Sequence, residues 1–462
     1  MRRSHALLLP FPAQGHVFPL MELAYNMASQ GFIITFINTD FNHARLLSST
    51  TTPSSINFIS IPDGMQPEDD RNNIAKLCQA LMTFMLLHLL ELINIMNIQE
   101  SHKPTCFNAD EGMAWALDVA KKTGLRSTAF SPASANTFTS LRSVPYLIER
   151  GIINEHDGSA KKPGQVFILS PGIPPMNMDN LAWNCFLDSE YNKIMFQYIV
   201  NNNKAMKHAE FVMFNSFYEA EKAIFDYLNS SKMLYIGPLL AKHSSSICLS
   251  RRFWAEDKTC KSWLDEQSDN SVIYVAFGSL VILDERQFQE LALGLELTGR
   301  PFLWVIRPDI TGKDAIPLPE GFSDLIGDQG KVVEWSPQQE VLAHPALACF
   351  ITHCGWNSTM EAVSNGVPFL CWPYFADQHL NQIYICDVWK NGLKMVRDEN
   401  GLITKEEIRD KVEELVGDEG MKKRALALKE MAVKSVDNGG SSFENFNTYI
   451  NAMKDDNLML QE

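Results

Sequence analysis

The chain has 462 residues, 45% hydrophobic and 21% charged. That is an ordinary soluble globular composition, with room for two or three domains of about 150 residues each. Its net charge of −15 argues against nucleic acid or an anionic membrane surface as a partner. A small anionic ligand stays open, since backbone amides and local cations can hold one inside an acidic protein. Nine cysteines, an odd number without a C-x-x-C pair, read as reduced thiols and not as a disulfide framework or a metal site.

In chain order, "MRRSHALLLPF" resembles a signal peptide only superficially, because its apolar run, Ala6–Leu9, is short and stops at Pro10. Residues 5–11 predict a strand, 16–30 a helix closed by Gly31, and 32–39, rich in β-branched and aromatic residues, a second strand. Strands at 56–62, 105–110 and 126–132 continue the series, with helices near 74–98 and 111–123. The stretch 81–98 is long and apolar enough to suggest a membrane span, but His88, Glu91 and Asn94 interrupt it at i, i+3, i+6. The expectation is a buried amphipathic helix and no membrane span. An N-S-T sequon at 357–359 lies inside the most motif-rich part of the chain, where a sugar would be disruptive, so a cytoplasmic location is expected.

Pro and Gly are frequent over 151–182, which predicts loops, and 210–217 and 233–239 read as the last strands of the first half. Periodicity is lost over 241–257. Strand–helix alternation then restarts: strand 271–279, helix 284–298, strands 302–308, 331–335 and 348–354, a helix from about 356, and strand 368–372. The expected division is a first domain 1–242, a linker 243–258, a second domain 259–440, and a helical tail 441–462 packing back on the first domain. Alternating strands and helices make this an α/β chain with two doubly wound parallel sheets, which bind ligands at the carboxyl ends of their strands. Neither G-x-G-x-x-G nor G-x-x-x-x-G-K-[ST] occurs, which disfavours dinucleotide oxidoreductases and P-loop enzymes.

Residues 335–378, "WSPQQEVLAHPALACFITHCGWNSTMEAVSNGVPFLCWPYFADQ", carry the densest signal. "ACFITHCGWNSTMEAVSNG" reads as a strand, a tight turn and a helix whose N-terminal amides can hold an anion, with His353 at the turn adding a charge-assisted contact. Plainer readings exist for single residues. Ser358-x-x-Glu361 is also a capping box, Trp335 suits a core, and Asp377 suits the N-cap of the next helix.

Taken together, the stretch resembles the donor-binding box of plant UDP-glycosyltransferases at nearly every signature position: W-x-P-Q-x-x-[VI]-L-x-H, F-x-x-H-C-G-W-N-S-x-x-E, G-V-P and P-x-x-x-D-Q. "PAQGHVFPLMELA", "NSFYEAE", "YIGPL" and "VAFGS" extend the resemblance over essentially the whole chain. The resemblance implies a GT-B fold, two Rossmann-like domains facing across a cleft, with the acceptor bound by the first and the UDP-sugar by the second. It also implies the residue roles. Trp335 would stack on uracil with Gln338 near the nucleoside, and Glu361 would accept from the ribose hydroxyls. His353, Asn357, Ser358 and Ser279 would hold the diphosphate; Trp356, Asp377 and Gln378 would surround the sugar, with Ser131 reaching it from the first domain. Gln378 at the end of the box is associated with glucose, making UDP-glucose the expected co-substrate. No separate cofactor is expected, and without a D-x-D motif no metal is expected either.

His16 alone is a loop histidine and Asp110 alone a helix N-cap; beside the donor box they become a base and its partner. An imidazole with a pKa near 6.5 is competent as a base at neutral pH, and a helix N-terminus favours its neutral form. A helix starting at His16 would place Pro19 in its first turn, at no cost in hydrogen bonds. A carboxylate fixes the tautomer and supports the imidazolium. The expected reaction is inverting transfer of glucose to a hydroxyl of a lipophilic small molecule, a flavonoid or other phenolic before a terpenoid. Phe84, Met85, Leu89, Phe138, Tyr146, Trp183 and Phe375 are candidate walls of the acceptor pocket. Alternatives are another UDP-sugar, C-glycoside formation, or a nucleotide-sugar binding protein without turnover. A monomer is expected.

Overall fold

The structure, a computed structural model, describes residues 4–48, 56–98, 103–186, 188–239, 254–308, 310, 322, 327 and 329–454. Its strands are β1 (His5–Leu9), β2 (Ile33–Thr39), β3 (Ile56–Ile61), β4 (Cys106–Asp110), β5 (Arg126–Ser131), β6 (Val166–Phe167), β7 (Met176–Asn177), β8 (Phe211–Phe214), β9 (Met233–Tyr235), β10 (Val272–Ala276), β11 (Phe302–Val305), β12 (Gly330–Val333), β13 (Leu347–Thr352), β14 (Phe369–Cys371) and β15 (Gly392–Lys394). The chain divides into two compact units. One runs from the N-terminus to 253 and resumes at Val433; the other spans Trp254–Ala432.

The first unit is built on a seven-stranded sheet ordered β3-β2-β1-β4-β5-β8-β9, every pair parallel. The continuous apolar run Ala6–Leu9 is what a central parallel strand needs, because helices cover both of its faces. Strand order reverses between β1 and β4, which pair in register from Ala6–Cys106 to Leu9–Ala109. The chain leaves β1 through Pro10 and Pro12 and enters the helix Gln14–Ser29. That helix begins two residues before His16, so His16 is its third residue and Pro19 its sixth. Pro19 therefore lies beyond the first turn, where the missing N–H does cost an internal bond. The antiparallel pair β6–β7 interrupts the loops of 151–182.

The second unit repeats the scheme in a six-stranded parallel sheet, β12-β11-β10-β13-β14-β15, reversing between β10 and β13. The plant UDP-glycosyltransferase resemblance implied such a pair of Rossmann-like units, and this architecture agrees. Two boundaries shift. Residues 243–253 of the expected linker 243–258 lie outside the described residues, and the second unit begins at Trp254. The second unit ends at Ala432, not 440, because the last turn of the helix Glu419–Val436 already belongs with the first, where Ser435 Oγ donates to the Gly237 carbonyl at 3.4 Å.

The helical stretch Ile74–Ile98 is long and apolar enough to cross a membrane by length and composition. The expectation that 81–98 is buried is corrected. Only a narrow stripe, Leu81, Met85, Leu89, Ile93 and Met96, packs inward. His88, Glu91 and Asn94 do share the outer side, but so do Phe84, Leu87, Ile95 and Ile98, each more than half exposed.

The helix Ser441–Lys454 completes the first unit. Tyr449, fully buried, donates to Asn108 Oδ1 on β4 at 2.6 Å and meets the Phe211 ring edge-on; Ser442 Oγ donates to the Gly237 carbonyl at 2.7 Å. Removing that hydroxyl strands a buried acceptor, which costs roughly 1–3 kcal/mol. Tyr449→Phe is therefore expected to lower the unfolding temperature of the first unit by several degrees, read by calorimetry.

Candidate active site

Each sheet presents a group of polar residues where its strand order reverses. In the first unit, the first turn of the helix Gln14–Ser29 supplies His16 and the end of β4 supplies Asp110. Asp110 is wholly buried and His16 is one-third exposed. His16 Nδ1 lies 2.9 Å from Asp110 Oδ2. A carboxylate only accepts, so Nδ1 carries the proton and Nε2 is the basic nitrogen. The Phe11 ring packs on the imidazole, centroids 5.1 Å apart. Asp110 also caps the 3-10 turn Glu111–Met113, with Gly112 N–H donating to Oδ1 at 2.8 Å. Asp110 thus caps the turn with one carboxylate oxygen and contacts His16 with the other. Glu111, the next residue, is buried as well. Desolvation pushes its carboxyl up to about 7, Arg142 opposing and Asp110 adding to the shift.

In the second unit, β13 ends at Thr352 and the helix Trp356–Asn365 starts after the tight turn at Cys354–Gly355. No side chain caps this helix. Ser358 is its third residue and Glu361 turns away to other partners, so the capping-box reading is corrected. Glu361 accepts from Gln338 Nε2 and, at 3.2 Å, from Gln339 Nε2. Gln338 also donates to Ser358 Oγ (2.9 Å) and accepts from the Tyr274 hydroxyl (3.0 Å), which bonds Ser336 Oγ at 2.8 Å. Trp335 is half-buried, one face toward Trp254 with centroids 6.1 Å apart and planes 21° from parallel.

His353 lies against two glycines. A Cβ on Gly278 or on Gly355 would stand 2.6 or 2.5 Å from its Nε2, and Gly278 has a positive φ that favours glycine in any case. Burial, with the Arg307 guanidinium adding to it, lowers the His353 pKa to about 4. This corrects the charge-assisted role: the ring is neutral at physiological pH and offers a neutral hydrogen bond. Arg307, itself buried, donates to the carbonyls of Gly278 and Val281 and so fixes the turn that carries Ser279.

Several of the expected site residues have their side chains engaged within the protein. The Trp356 indole is buried against Trp389, leaving its backbone N–H at the helix start. Gln378 is buried, and its Oε1 accepts from the backbone N–H of Tyr374 (2.8 Å) and Phe375 (3.1 Å). Asp377 sits at the N-cap position but makes no capping bond; it accepts from Asn381, which also reaches the Cys354 carbonyl. Ser131 is fully buried at the end of β5, its hydroxyl 3.4 Å from the Ala133 carbonyl. Of the candidate acceptor walls, Met85, Leu89, Phe138 and Trp183 are core residues without surface to offer a ligand. Trp183 donates to the Gly158 carbonyl and packs on Phe196. Phe84 and Tyr146 are exposed, and Phe375 is half-buried. Tyr274, Gln339 and Arg307 were not singled out from sequence: each sits in an ordinary-looking run, and only pairing across the sheet or turn shows its role.

The family described as UDP-glucoronosyl and UDP-glucosyl transferase matches residues 7–436. The chain belongs to that family. UDP-glycosyltransferase 83A1 of Arabidopsis thaliana is 42% identical over 468 residues, covering 98% of this chain and 97% of its own length. The 7-deoxyloganetin glucosyltransferase of Gardenia jasminoides is 34% identical, covering 98% of both chains. The structure of Phytolacca americana UGT2 with UDP-2fluoro-glucose and pterostilbene superposes with a TM-score of 0.80 at 26% identity, over 98% of this chain and 99% of that one. The chain is accordingly a UDP-glycosyltransferase with two Rossmann-like units, of glucosyl-transfer type.

Because His353 is neutral well above its lowered pKa, it adds no titration to donor binding near neutrality. UDP-glucose, unlike UDP, has no phosphate ionisation near neutrality, and its affinity, measured by calorimetry from about pH 5.5 to 8, should lack a histidine-like rise on acidification. A rise centred near pH 6.5 would contradict the neutral assignment.

Proposed function

We propose that this enzyme transfers glucose from UDP-glucose to a hydroxyl of a lipophilic plant small molecule, a phenolic or a terpenoid, with inversion at the anomeric carbon. The observation that carries the mechanism is the 2.9 Å contact of His16 Nδ1 with buried Asp110, which makes Nε2 the basic nitrogen. Nε2 takes the acceptor proton as the oxygen attacks the anomeric carbon on the face opposite UDP; Asp110 supports the imidazolium that forms. The first-turn amides of the helix Trp356–Asn365, with Ser358 and neutral His353, bind the departing diphosphate in a preorganised field. Uracil stacks on the Trp335 face turned away from Trp254, and Glu361, held by Gln338 and Gln339, accepts from the ribose.

The glucose assignment draws support from the names of relatives that are glucosyltransferases and from Gln378 at the end of the donor box. For the acceptor, 7-deoxyloganetin in one relative's name and pterostilbene in one related structure support a lipophilic alcohol or phenol.

A panel of UDP-sugars against phenolic and terpenoid acceptors, read by mass spectrometry, tests both assignments; failure of UDP-glucose to give any product overturns the donor. His16→Ala should lose about 10²–10⁴-fold in kcat, the usual range for a general base, with UDP affinity nearly unchanged. Full turnover by that variant would remove His16 from the base role. Since the sequence has no D-x-D motif, turnover of desalted enzyme should also persist in EDTA.

A further inference from the structure

The dyad depends on where the Asp110 carboxylate is held, and the residue holding it is Gly112. Asp110 Oδ1 accepts from Gly112 N–H while Oδ2 faces His16. Gly112 is itself gripped from the other side. Its carbonyl accepts from the Tyr198 hydroxyl and from Asn202 Nδ2, the latter at 3.0 Å. Tyr198 and Asn202 are i, i+4 neighbours on the 17-residue helix Ser189–Ala205, and both are buried. Asn202 Oδ1 accepts from Trp115 N at 3.0 Å, so one helix face holds the turn at both ends.

A buried hydroxyl and a buried amide are unfavourable unless bonded, and both are directed at one carbonyl two residues past the dyad carboxylate. The space around Gly112 is equally restricted. A Cβ there would stand 3.1 Å from Asp110 Oδ1 and 3.3 Å from Phe11 Cδ2, and Phe11 packs on His16. We propose that Tyr198 and Asn202 are positioning residues for the transfer reaction, which set the Asp110 carboxylate, and through it the His16 imidazole, by clamping Gly112. This rests on the His16–Asp110 reading above.

The charged groups bearing on His16 are Asp110 beside it and Glu111 on the adjoining turn, with Arg142 acting on Glu111. Loosening the clamp weakens the carboxylate–imidazolium attraction, which lowers the affinity of His16 for its proton.

The test is a double-mutant cycle with Tyr198→Phe, which removes one hydroxyl, and Asp110→Asn. Tyr198→Phe alone should lower kcat about 5–20-fold, a modest loss for a slightly misplaced base, with KM for UDP-glucose within about twofold. The acid limb of its pH–kcat/KM profile should move to lower pH. In the Asp110→Asn background the same change should have almost no further effect, since the group it acts through is gone. Gly112→Ala, which presses on the carboxylate directly, should reproduce the kcat loss and serves if Tyr198→Phe folds poorly. An unchanged kcat and pH profile for Tyr198→Phe, or an equal loss with and without Asp110, overturns the positioning role while leaving the dyad intact. Full activity of Asp110→Asn alone overturns the dyad and the clamp together.

Discussion

Both sites stand where strand order in a parallel sheet reverses. The crossover connections on either side of that point run to opposite faces of the sheet, so the carboxyl ends of the two central strands are left open. In the first unit these strands are β1 and β4, in the second β10 and β13. The interiors of these strands are largely apolar on both faces, as Ala6–Leu9 and Val272–Ala276 are, and a polar residue within one, Asn108 on β4, has a buried partner in Tyr449. Residues at or just beyond the strand ends are released from that pattern. Asp110 closes β4, Gly278 and His353 follow β10 and β13 within two residues, and His16 lies in the first turn of the helix after β1, so the fold determines where chemistry can be placed before any catalytic residue is chosen.

The two openings solve different electrostatic problems. At the first, a buried carboxylate with a hydrogen bond on each oxygen faces a partly exposed imidazole, an arrangement that stabilises positive charge on the ring. At the second, burial and Arg307 keep His353 neutral, and the site relies on an uncapped helix start together with neutral hydrogen bonds. A base must gain a proton during the reaction, whereas an anion-binding group needs only to donate. The proposed roles, His16 as base and His353 as a diphosphate ligand, would account for this opposite treatment of two histidines by their surroundings.

Much of this was legible in the sequence because it is local. Apolar runs ended by Pro or Gly marked β1, β10 and β13, and helix patterning marked the helices after β1, β10 and β13, whereas Ser189–Ala205, Lys405–Gly417 and Glu419–Val436 were not marked. The donor box was legible as a dense series of spaced residues, Asp110 as the residue that ends a strand, and His16 as the residue after the Pro and Gly that follow one. The outer face of the helix Leu86–Ile98 was misjudged for an equally physical reason. Its apolar residues occur all round, and composition does not say which side finds a partner.

What the sequence by itself determined is the two α/β repeats, the family, and the positions at which polar chemistry leaves each sheet, since these follow from short-range periodicity and motif spacing. Tertiary structure decided which atoms face each other. It assigned one oxygen of Asp110 to His16 and the other to Gly112, buried Trp183 and the Trp356 indole, and turned Glu361 toward Gln338 and Gln339. It also brought Tyr198 and Asn202 onto a turn some ninety residues earlier in the chain. Hydrogen-bond direction and burial depend on packing between elements far apart in sequence, and no local pattern encodes them.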